Sequence, residues 1–281
     1  MAPVRIGAVE YLNARPLVFG LEHDPRFAVR FDLPSRCAEL LHAGQTDLGL
    51  IPSIEFLRAP GGPESYRVVP DLAIASKGAV ASVALFTTRD MRDVRSIALD
   101  TSSRTSVALT RVMCERVFGI APTFENHGPD LPGMLARADA ALIIGDRALF
   151  LEGGPVPAGG DGRGGHVMVE KIDLGELWLR TTGLPFVYAF WAGRPGAIDA
   201  DGVRTLTATR DASLARVHDI STFYFPDDPA RQQISDRYLR DNIKYSLGPD
   251  ERAGLERFYH YAAEAGVVPR AVTPRYFDNP S

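Results

Sequence analysis

Pro185-Phe186-Val187-Tyr188-Ala189-Phe190-Trp191 is a dense apolar run, and its length and aromatic content predict a buried strand. Three helical patterns follow it, at 199–219, 228–247 and 249–265. Before it, strand-like and helix-like runs alternate along the chain. We therefore expect the chain to build one lobe, then a second, and to return to the first through this strand.

The chain before this run predicts an α/β protein with largely parallel sheets, because strands alternate with helices there. The predicted strands are 4–9, 28–33, 47–51, 68–74, 81–87, 96–99, 123–125, 140–144 and 167–173. The predicted helices are 16–21, 35–44, 53–56, 107–118, 131–137 and 147–151. The Gly-rich stretch 153–165 lacks periodicity, and we expect a mobile surface loop there.

These elements predict two lobes joined by two crossings. Residues 1–88 and 186–281 are expected to form the first lobe, and residues 89–185 the inserted second lobe. Mixed sheets with a ligand cleft between the lobes are typical of periplasmic-binding-protein-like folds of type II, whose lobes close on a ligand by hinge motion.

The composition argues against several partners. The formal net charge is −4 and 23% of the residues are charged, so no basic excess indicates nucleic acid. No segment approaches the ~20 apolar residues of a membrane span, and no secretory signal precedes the first predicted strand. We therefore expect a cytoplasmic protein. Cys37 and Cys114 lie in apolar helical patterns and are predicted to be buried free thiols rather than a disulfide.

Candidate ligand contacts lie where predicted strands run into helices, the edge at which open α/β sheets bind ligands. Tyr11 and Asn13 follow the first strand, and Asn13 either offers an amide to a ligand or caps the next helix. Ile51 and Ser53 precede a helix start whose free N–H groups suit a carboxylate. A helix cap is the simpler explanation of Ser53.

Two further junctions carry small or polar residues. Ser82 is the one hydroxyl in an apolar run, where it donates to a substrate if it faces the cleft and needs no functional explanation on an edge strand. Gly145 permits close approach to the backbone. Asp146 is available to accept a substrate hydroxyl, to cap the following helix or to pair with Arg147.

The strongest candidate is the hydroxyl-rich turn 101–106, which opens the predicted helix 107–118. Ser103, Thr105 and Ser106 surround Arg104 at a helix N-terminus, and these groups are expected to converge on an anion. The glycines and lysine of a phosphate loop are missing, so the anion is not expected to be a nucleotide phosphate. An overdetermined helix cap is the alternative explanation.

Other catalytic or cofactor patterns are missing from the sequence. The six histidines are scattered without metal-ligand spacing. Neither a Gly-x-Ser-x-Gly elbow nor a Gly-x-Gly-x-x-Gly turn after a strand is present. We therefore expect neither a metal nor a nucleotide cofactor.

Taken together, these segments resemble the chorismate dehydratases of the futalosine route to menaquinone. The similarity runs in order along nearly the whole chain. The segments that carry it are Tyr11-Leu12-Asn13-Ala14 with Pro16-Leu17, Gly49-Leu50-Ile51-Pro52-Ser53, Gly78-Ala79-Val80-Ala81-Ser82-Val83, Ser103-Arg104-Thr105-Ser106, Ile144-Gly145-Asp146, Thr182-Gly183-Leu184-Pro185-Phe186-Val187-Tyr188-Ala189 and Tyr238-Leu239 with Asn242-Ile243 and Tyr245.

The resemblance implies a hydro-lyase that removes water from chorismate to give 3-[(1-carboxyvinyl)oxy]benzoate without any cofactor. Asn13 and Ser82 are the expected catalytic residues. An amide cannot take a proton at neutral pH, so our hypothesis is that the substrate's own enolpyruvyl carboxylate is the base and that Asn13 orients it. Ser82 would hydrogen-bond the leaving oxygen, and Ser103, Thr105 and Ser106 would hold a carboxylate.

Three other functions stay open at this point. A non-catalytic solute-binding protein of the same fold is one, although the missing export signal speaks against it. The sister enzyme dihydroxynaphthoate synthase is the second, but a cleft histidine would then be expected as the base. The third is a ligand-binding regulator domain, which lacks an attached DNA-binding helix-turn-helix. The sequence leaves monomer and dimer equally open.

Overall fold

The computed structural model describes residues 2–157 and 165–278, which form two sheets covered by helices. The strands within these ranges are β1 (Val4–Val9), β2 (Phe27–Asp32), β3 (Leu48–Pro52), β4 (Arg67–Val68), β5 (Ile74–Ser76), β6 (Val83–Thr87), β7 (Ser96–Asp100), β8 (Thr123–His127), β9 (Ala140–Ile144), β10 (Gly154–Pro157), β11 (His166–Asp173), β12 (Phe186–Gly193) and β13 (Ile243–Lys244). The α-helices are α1 (Pro34–His42), α2 (Arg104–Met113), α3 (Leu131–Leu135), α4 (Asp146–Phe150), α5 (Leu174–Thr182), α6 (Ala200–Leu214), α7 (Val217–Tyr224), α8 (Pro229–Arg237) and α9 (Pro249–Glu264).

Both sheets mix parallel and antiparallel strands, which confirms the predicted α/β class and mixed sheets, whereas the expectation of largely parallel sheets is wrong. The first has the order β13-β5-β12-β3-β1-β2, with β4 beside β12. Its β1 lies parallel to β2 and β3, whereas β12 runs antiparallel to β3 and β5. The second sheet has the order β10-β11-β6-β9-β7-β8, in which β7 is parallel to its neighbours and β6 is antiparallel to its own.

The return strand is confirmed. Every residue of β12 is buried, and the strand lies inside the first sheet between β3 and β5. Trp191 on this strand and Trp178 on α5 are fully buried in the core. Cys37 and Cys114 are free and buried, as the sequence predicts. No helix among the described residues is long and apolar enough to cross a membrane.

Strand β6 belongs to the second sheet, although the predicted lobe boundary assigns it to the first lobe. A boundary at residue 89 leaves β6 in the first lobe, but β6 pairs with β9 and β11 of the second sheet. The apolar run of β6 is buried wherever it lies, so only its distant strand partners decide which sheet it joins. We propose that the first crossing lies at 77–82 and the second at 183–185.

Several local predictions need correction. The predicted strand 68–74 is interrupted, because only β4 and β5 at its two ends are strand. The short helix expected at 16–21 is a 3-10 helix at Leu12–Leu17 that contains Pro16. Ser35 is not the cap of α1, since Leu33 holds that position and Pro34 opens the helix. Helix α5 was not predicted.

The remaining differences lie in the loop and at the C-terminus. The predicted loop 153–165 contains β10, and its residues 158–164 lie outside the described ranges. The helical pattern 199–219 is divided between α6 and α7, which extends beyond it. The pattern 228–247 gives α8, then a π-helical turn at Tyr238–Asn242, then β13.

Candidate active site

A small cavity between the two sheets brings together six of the predicted site residues. They are Tyr11, Asn13, Ser82, Ser103, Ser106 and Gly145. Apolar side chains and Tyr188 form the rest of its wall, and none of the charged side chains that the structure describes lines it. Its volume is about 40 Å³, enough for water but far below the hundreds of Å³ of typical ligand pockets. The two halves of the protein must therefore separate before a ring-sized ligand can enter.

Asn13 presents an unpaired oxygen at this cavity. Asn13 lies inside the 3-10 helix, and Tyr11 holds the N-cap position. The alternative prediction that Asn13 caps this helix is therefore wrong. The hydroxyl of Tyr245 donates to its backbone oxygen at 3.0 Å and fixes the turn. The side-chain Oδ1 is buried and has no partner among the described residues. Buried polar atoms are nearly always satisfied, so this oxygen is a strong candidate for contact with a ligand.

The backbone that precedes Ser82 donates two hydrogen bonds to the carboxylate of Asp173. Asp173 accepts from the backbone N–H of Val80 at 3.0 Å and of Ala81 at 2.6 Å. Ala81 has φ +63°, a left-handed conformation that costs a non-glycine residue about 1 kcal/mol or more. The two bonds stabilise that strained backbone. At the cavity, the hydroxyl of Tyr238 donates to Ser82 Oγ at 2.6 Å.

The N-terminus of α2 contributes two hydroxyls, those of Ser103 and Ser106, to the cavity wall. Ser103 is its N-cap residue but makes no side-chain capping hydrogen bond. Ser106 Oγ instead donates to Ser103 Oγ at 3.2 Å, within the cavity wall. The first N–H groups of a helix lack intrahelical partners and carry the positive end of the helix dipole. This end of α2 suits a carboxylate.

Tyr11 closes the cavity against Gly145. The ring lies so close that a Cβ added to Gly145 would stand 3.0 Å from it. Gly145 also has φ +68° and ψ −152°, a region that is essentially restricted to glycine. The Tyr11 hydroxyl donates to Ser102 Oγ at 2.8 Å. Tyr11 follows β1 of the first sheet, whereas Ser102 follows β7 of the second. Tyr11 thus separates the inner cavity from a larger outer one.

Three predicted site residues lie behind the cavity wall. Ile51 is fully buried within β3. Ser53 Oγ donates to the backbone oxygen of Val187 at 2.8 Å, and Thr105 Oγ1 accepts from the N–H of Ile54 at 3.1 Å. Ser53 and Thr105 are therefore occupied with backbone groups. Because Thr105 belongs to α2 and Ile54 to the chain after β3, their bond connects the two halves of the protein.

Arg104 does not join the cavity, so the expected convergence of a guanidinium with the hydroxyls is wrong. Its Nη1 lies 2.8 Å from Glu55 and its Nη2 lies 2.7 Å from Glu39. Successive residues of a helix point about 100° apart, so Arg104 faces away from Ser106. Burial raises the pKa of the Glu55 carboxyl, but His42, Arg58 and Arg104 outweigh that effect and hold it at about 2.

Asp146 lies at the outer cavity, which has a volume of about 670 Å³. Its Oδ1 accepts from the N–H of Leu12 at 3.1 Å, and its Oδ2 accepts from the Tyr224 hydroxyl at 2.6 Å. It is therefore not primarily a helix cap, the default explanation from sequence. Burial raises the pKa of Asp146. Arg15 and Arg147 line the same cavity, together with the carboxyls of Glu10 and Asp100.

The described residues contain no group of three or more His, Cys, Asp or Glu side chains that could hold a metal ion. The polar groups of the inner cavity are an amide, several hydroxyls and a helix N-terminus. These groups can orient an anion and donate hydrogen bonds to a leaving oxygen. None of the side chains that line this cavity is a general base at neutral pH.

A model of the family described as menaquinone biosynthesis matches residues 4–264. The chain belongs to the menaquinone biosynthesis family. Chorismate dehydratase from Thermus thermophilus is 32% identical to it over 282 residues, which cover 96% of this chain and 98% of that enzyme. This membership confirms the resemblance seen in the sequence.

Solved structures confirm the predicted fold for this family member. A Candida albicans protein with the generic periplasmic binding protein fold aligns with a TM-score of 0.61 at 9% identity, covering 97% of this chain and 92% of that one. The aliphatic sulphonate binding protein SsuA of Escherichia coli aligns with a TM-score of 0.58 at 16% identity, covering 100% and 95%. The protein AF1704 of Archaeoglobus fulgidus aligns at 0.66 with 13% identity, covering 95% and 99%.

Two tyrosines were missed as site residues in this member of the family, one that lines the cavity and one that lies behind its wall. Tyr188 is in the return strand, where an apolar core role explains it fully from sequence. Tyr238 lies in the late segment that carries part of the family resemblance. The resemblance of that segment to the family could have marked Tyr238 as a candidate. Because Tyr238 lies in a predicted helix far along the chain from Ser82, the local pattern gave no indication of their contact.

Proposed function

We propose that this protein is a chorismate dehydratase, a hydro-lyase that converts chorismate to 3-[(1-carboxyvinyl)oxy]benzoate. The observation that carries the proposal is the convergence of Asn13, Ser82, Ser103 and Ser106 on one uncharged cavity between the sheets. The family membership and the similarity to the Thermus thermophilus enzyme support the same activity.

Chorismate is a dianion, and its two carboxylates need donors. One carboxylate is proposed to bind at the N-terminus of α2, where Ser103 and Ser106 add hydroxyls to the free N–H groups. Thr105, which the sequence placed in the same role, is engaged with Ile54 and is left out of this proposal.

The elimination itself needs a base, a route for the leaving oxygen and fixed geometry. We propose that the enolpyruvyl carboxylate of the substrate takes the ring proton while Asn13 orients that carboxylate. The C–H electron pair becomes a ring double bond as the C–O bond breaks with its pair on oxygen. Ser82 donates a hydrogen bond to this oxygen. The abstracted proton and the departing hydroxide make up the water that is released, and the product ring is aromatic.

Incubation of the purified protein with chorismate tests the proposal directly. We expect chorismate to disappear and an aromatic carboxylic acid of the mass of chorismate less one water to accumulate, without added metal or nucleotide. Ser82→Ala is expected to abolish most turnover, because it removes the donor to the leaving oxygen. Tight binding of chorismate without conversion would instead indicate a solute-binding protein.

The sister enzyme dihydroxynaphthoate synthase is not favoured by the site. A histidine base is expected for that enzyme, and no histidine lines the inner cavity among the described residues. A cytoplasmic location and the oligomeric state remain predictions from sequence. A cell-fractionation experiment and light scattering would test them.

A further inference from the structure

The late segment of the family resemblance has no role in the proposed function as described so far. Three of its polar side chains contact the two proposed catalytic regions. Tyr238 donates to Ser82 Oγ, Asn242 Nδ2 donates to the backbone oxygen of Ala79 at 2.8 Å, and Tyr245 donates to the backbone oxygen of Asn13. One short stretch of chain therefore holds both catalytic candidates from behind.

Tyr238 stands at the centre of this arrangement. It is only 2% exposed, so water does not compete for its hydroxyl. Burial raises the pKa of the Tyr238 phenol far above its usual range. Hydrogen bonds with the side chains of Ser82 and Asn13 lower this pKa and offset part of the effect of burial. The group therefore stays a neutral O–H donor at any pH at which the enzyme works.

A donor in this position controls the direction of the Ser82 proton. A serine hydroxyl has one hydrogen to donate and two lone pairs to accept with. When Ser82 Oγ accepts from Tyr238, its own hydrogen is free to point into the cavity. Hydrogen bonds in such a chain also strengthen one another. The bond to Tyr238 therefore makes Ser82 a better donor to a leaving oxygen.

The local backbone supports a role beyond packing. Tyr238 is the first residue of the π-helical turn Tyr238–Asn242, which follows α8 directly. Such turns are rare and occur frequently at functional sites. This one shifts the helix so that Tyr238 reaches Ser82 while Asn242 reaches Ala79 in the first crossing.

We propose that Tyr238 is a positioning residue of the dehydration, which acts by holding the Ser82 hydroxyl in the geometry that donates to the leaving oxygen. This inference rests on the proposed function. It assigns to Tyr238 an effect on the chemical step rather than on substrate affinity, because Tyr238 lies behind Ser82 and does not line the cavity.

The test compares Tyr238→Phe with the parent and with Tyr66→Phe. Tyr66 is equally buried and its hydroxyl bonds His42 at 2.9 Å, so Tyr66→Phe removes a similar buried hydroxyl elsewhere in the protein. We expect Tyr238→Phe to lower kcat for chorismate by about 10- to 100-fold with KM changed less than about threefold. Tyr66→Phe is expected to keep the parent kcat, with a similar shift in melting temperature.

A double-mutant cycle with Ser82→Ala identifies the route of the effect. If Tyr238 acts through Ser82, adding Tyr238→Phe to Ser82→Ala lowers kcat by less than about twofold further. Additive losses, or parent kcat in Tyr238→Phe, would overturn the inference while leaving the proposed function intact. A parent protein that leaves chorismate unchanged would overturn both.

Discussion

The ring of Tyr11 lies against Gly145 so closely that even one added methyl group at Gly145 would meet it at 3.0 Å. This contact joins the loop after β1 to the loop after β9, which belong to different sheets. It forms one wall of the inner cavity and the partition toward the outer one. The fit of the two halves around the substrate therefore depends on the absence of a side chain at Gly145.

Gly145→Ala is expected to lower the free energy of unfolding by about 2 kcal/mol or more, because it adds backbone strain and a collision with Tyr11. Turnover of chorismate is expected to fall as well. Gly119→Ala is the matched control, since Gly119 has φ +65° and open space around its Cβ position. That variant loses about 1 kcal/mol from strain alone and keeps its turnover. Equal losses in urea unfolding for the two variants would contradict the argument.

Asn13→Ala is expected to lower kcat by about 100-fold, because the cavity then lacks the amide that orients the substrate carboxylate. The fold is expected to persist, since Tyr245 bonds the backbone of Asn13 and not its side chain. Steady-state kinetics and a melting curve measure the two effects. Asn126→Ala on the exposed strand β8 is the control and keeps both values. Unchanged kcat in Asn13→Ala would remove this residue from the mechanism.

Asp173→Ala is expected to lower the free energy of unfolding by about 3 kcal/mol. Asp173 caps α5 through Gly175 and also accepts from the strained segment at Val80 and Ala81. Asp199→Ala, which removes an N-cap of α6 that makes one such bond, is expected to lower it by about 1 kcal/mol. Urea denaturation measures both.

The same pair separates stability from function. Because the segment held by Asp173 runs into Ser82, we expect Asp173→Ala to lower kcat at temperatures where the variant is fully folded. Asp199→Ala is expected to leave kcat unchanged. Equal kcat in the two variants would mean that the bonds to Val80 and Ala81 serve stability only.

The Glu55 carboxyl predicts how stability depends on acid pH. Its pKa is about 2 in the folded protein against 4.5 for a free glutamate, so its stabilising contribution is complete above pH 4.5 and is lost as the pH falls toward 2. The contribution amounts to ~3 kcal/mol at most. Glu55→Gln is expected to flatten the stability profile over this range, as measured by urea unfolding.

Asp250→Asn is the control for that experiment, because Asp250 forms an exposed ion pair with Lys77. Exposed pairs contribute little to stability, so this variant is expected to follow the profile of the parent. A Glu55→Gln profile as steep as that of the parent would show that another carboxyl governs the acid loss of stability.

Prediction from sequence succeeded where neighbouring residues decide the outcome. The spacing of apolar residues located β9 to the residue. It also located the end of the helical run before Gly119, but α2 begins at Arg104 rather than at Val107, and its last turn is π-helical. Strand-to-helix junctions supplied Asn13 and Ser103, and an apolar run with one hydroxyl supplied Ser82, all of which line one cavity. Such segments are found from local periodicity, but Asn13 and Ser103 follow strands of different sheets, so the packing of the two sheets brings them together.

Prediction failed where a side chain's partner is remote in sequence. Arg104 was expected in the site with the hydroxyls beside it, but Glu55, which lies 49 residues away, takes its guanidinium. Tyr238 was expected in an ordinary helix, but it bonds Ser82 over a separation of 156 residues. Neither partner leaves any trace in the local pattern.

Local patterns along the chain are enough to predict the α/β class, the return strand β12 and the polar turns that follow the strands, because hydrophobic periodicity and turn chemistry act between near neighbours. The folded protein was needed to find that β6 joins the second sheet, that Thr105 and Asp146 connect the halves, and that Tyr238 supports Ser82. Those outcomes depend on which surfaces pack together. Packing is decided by shape, burial and hydrogen bonding over the whole chain at once.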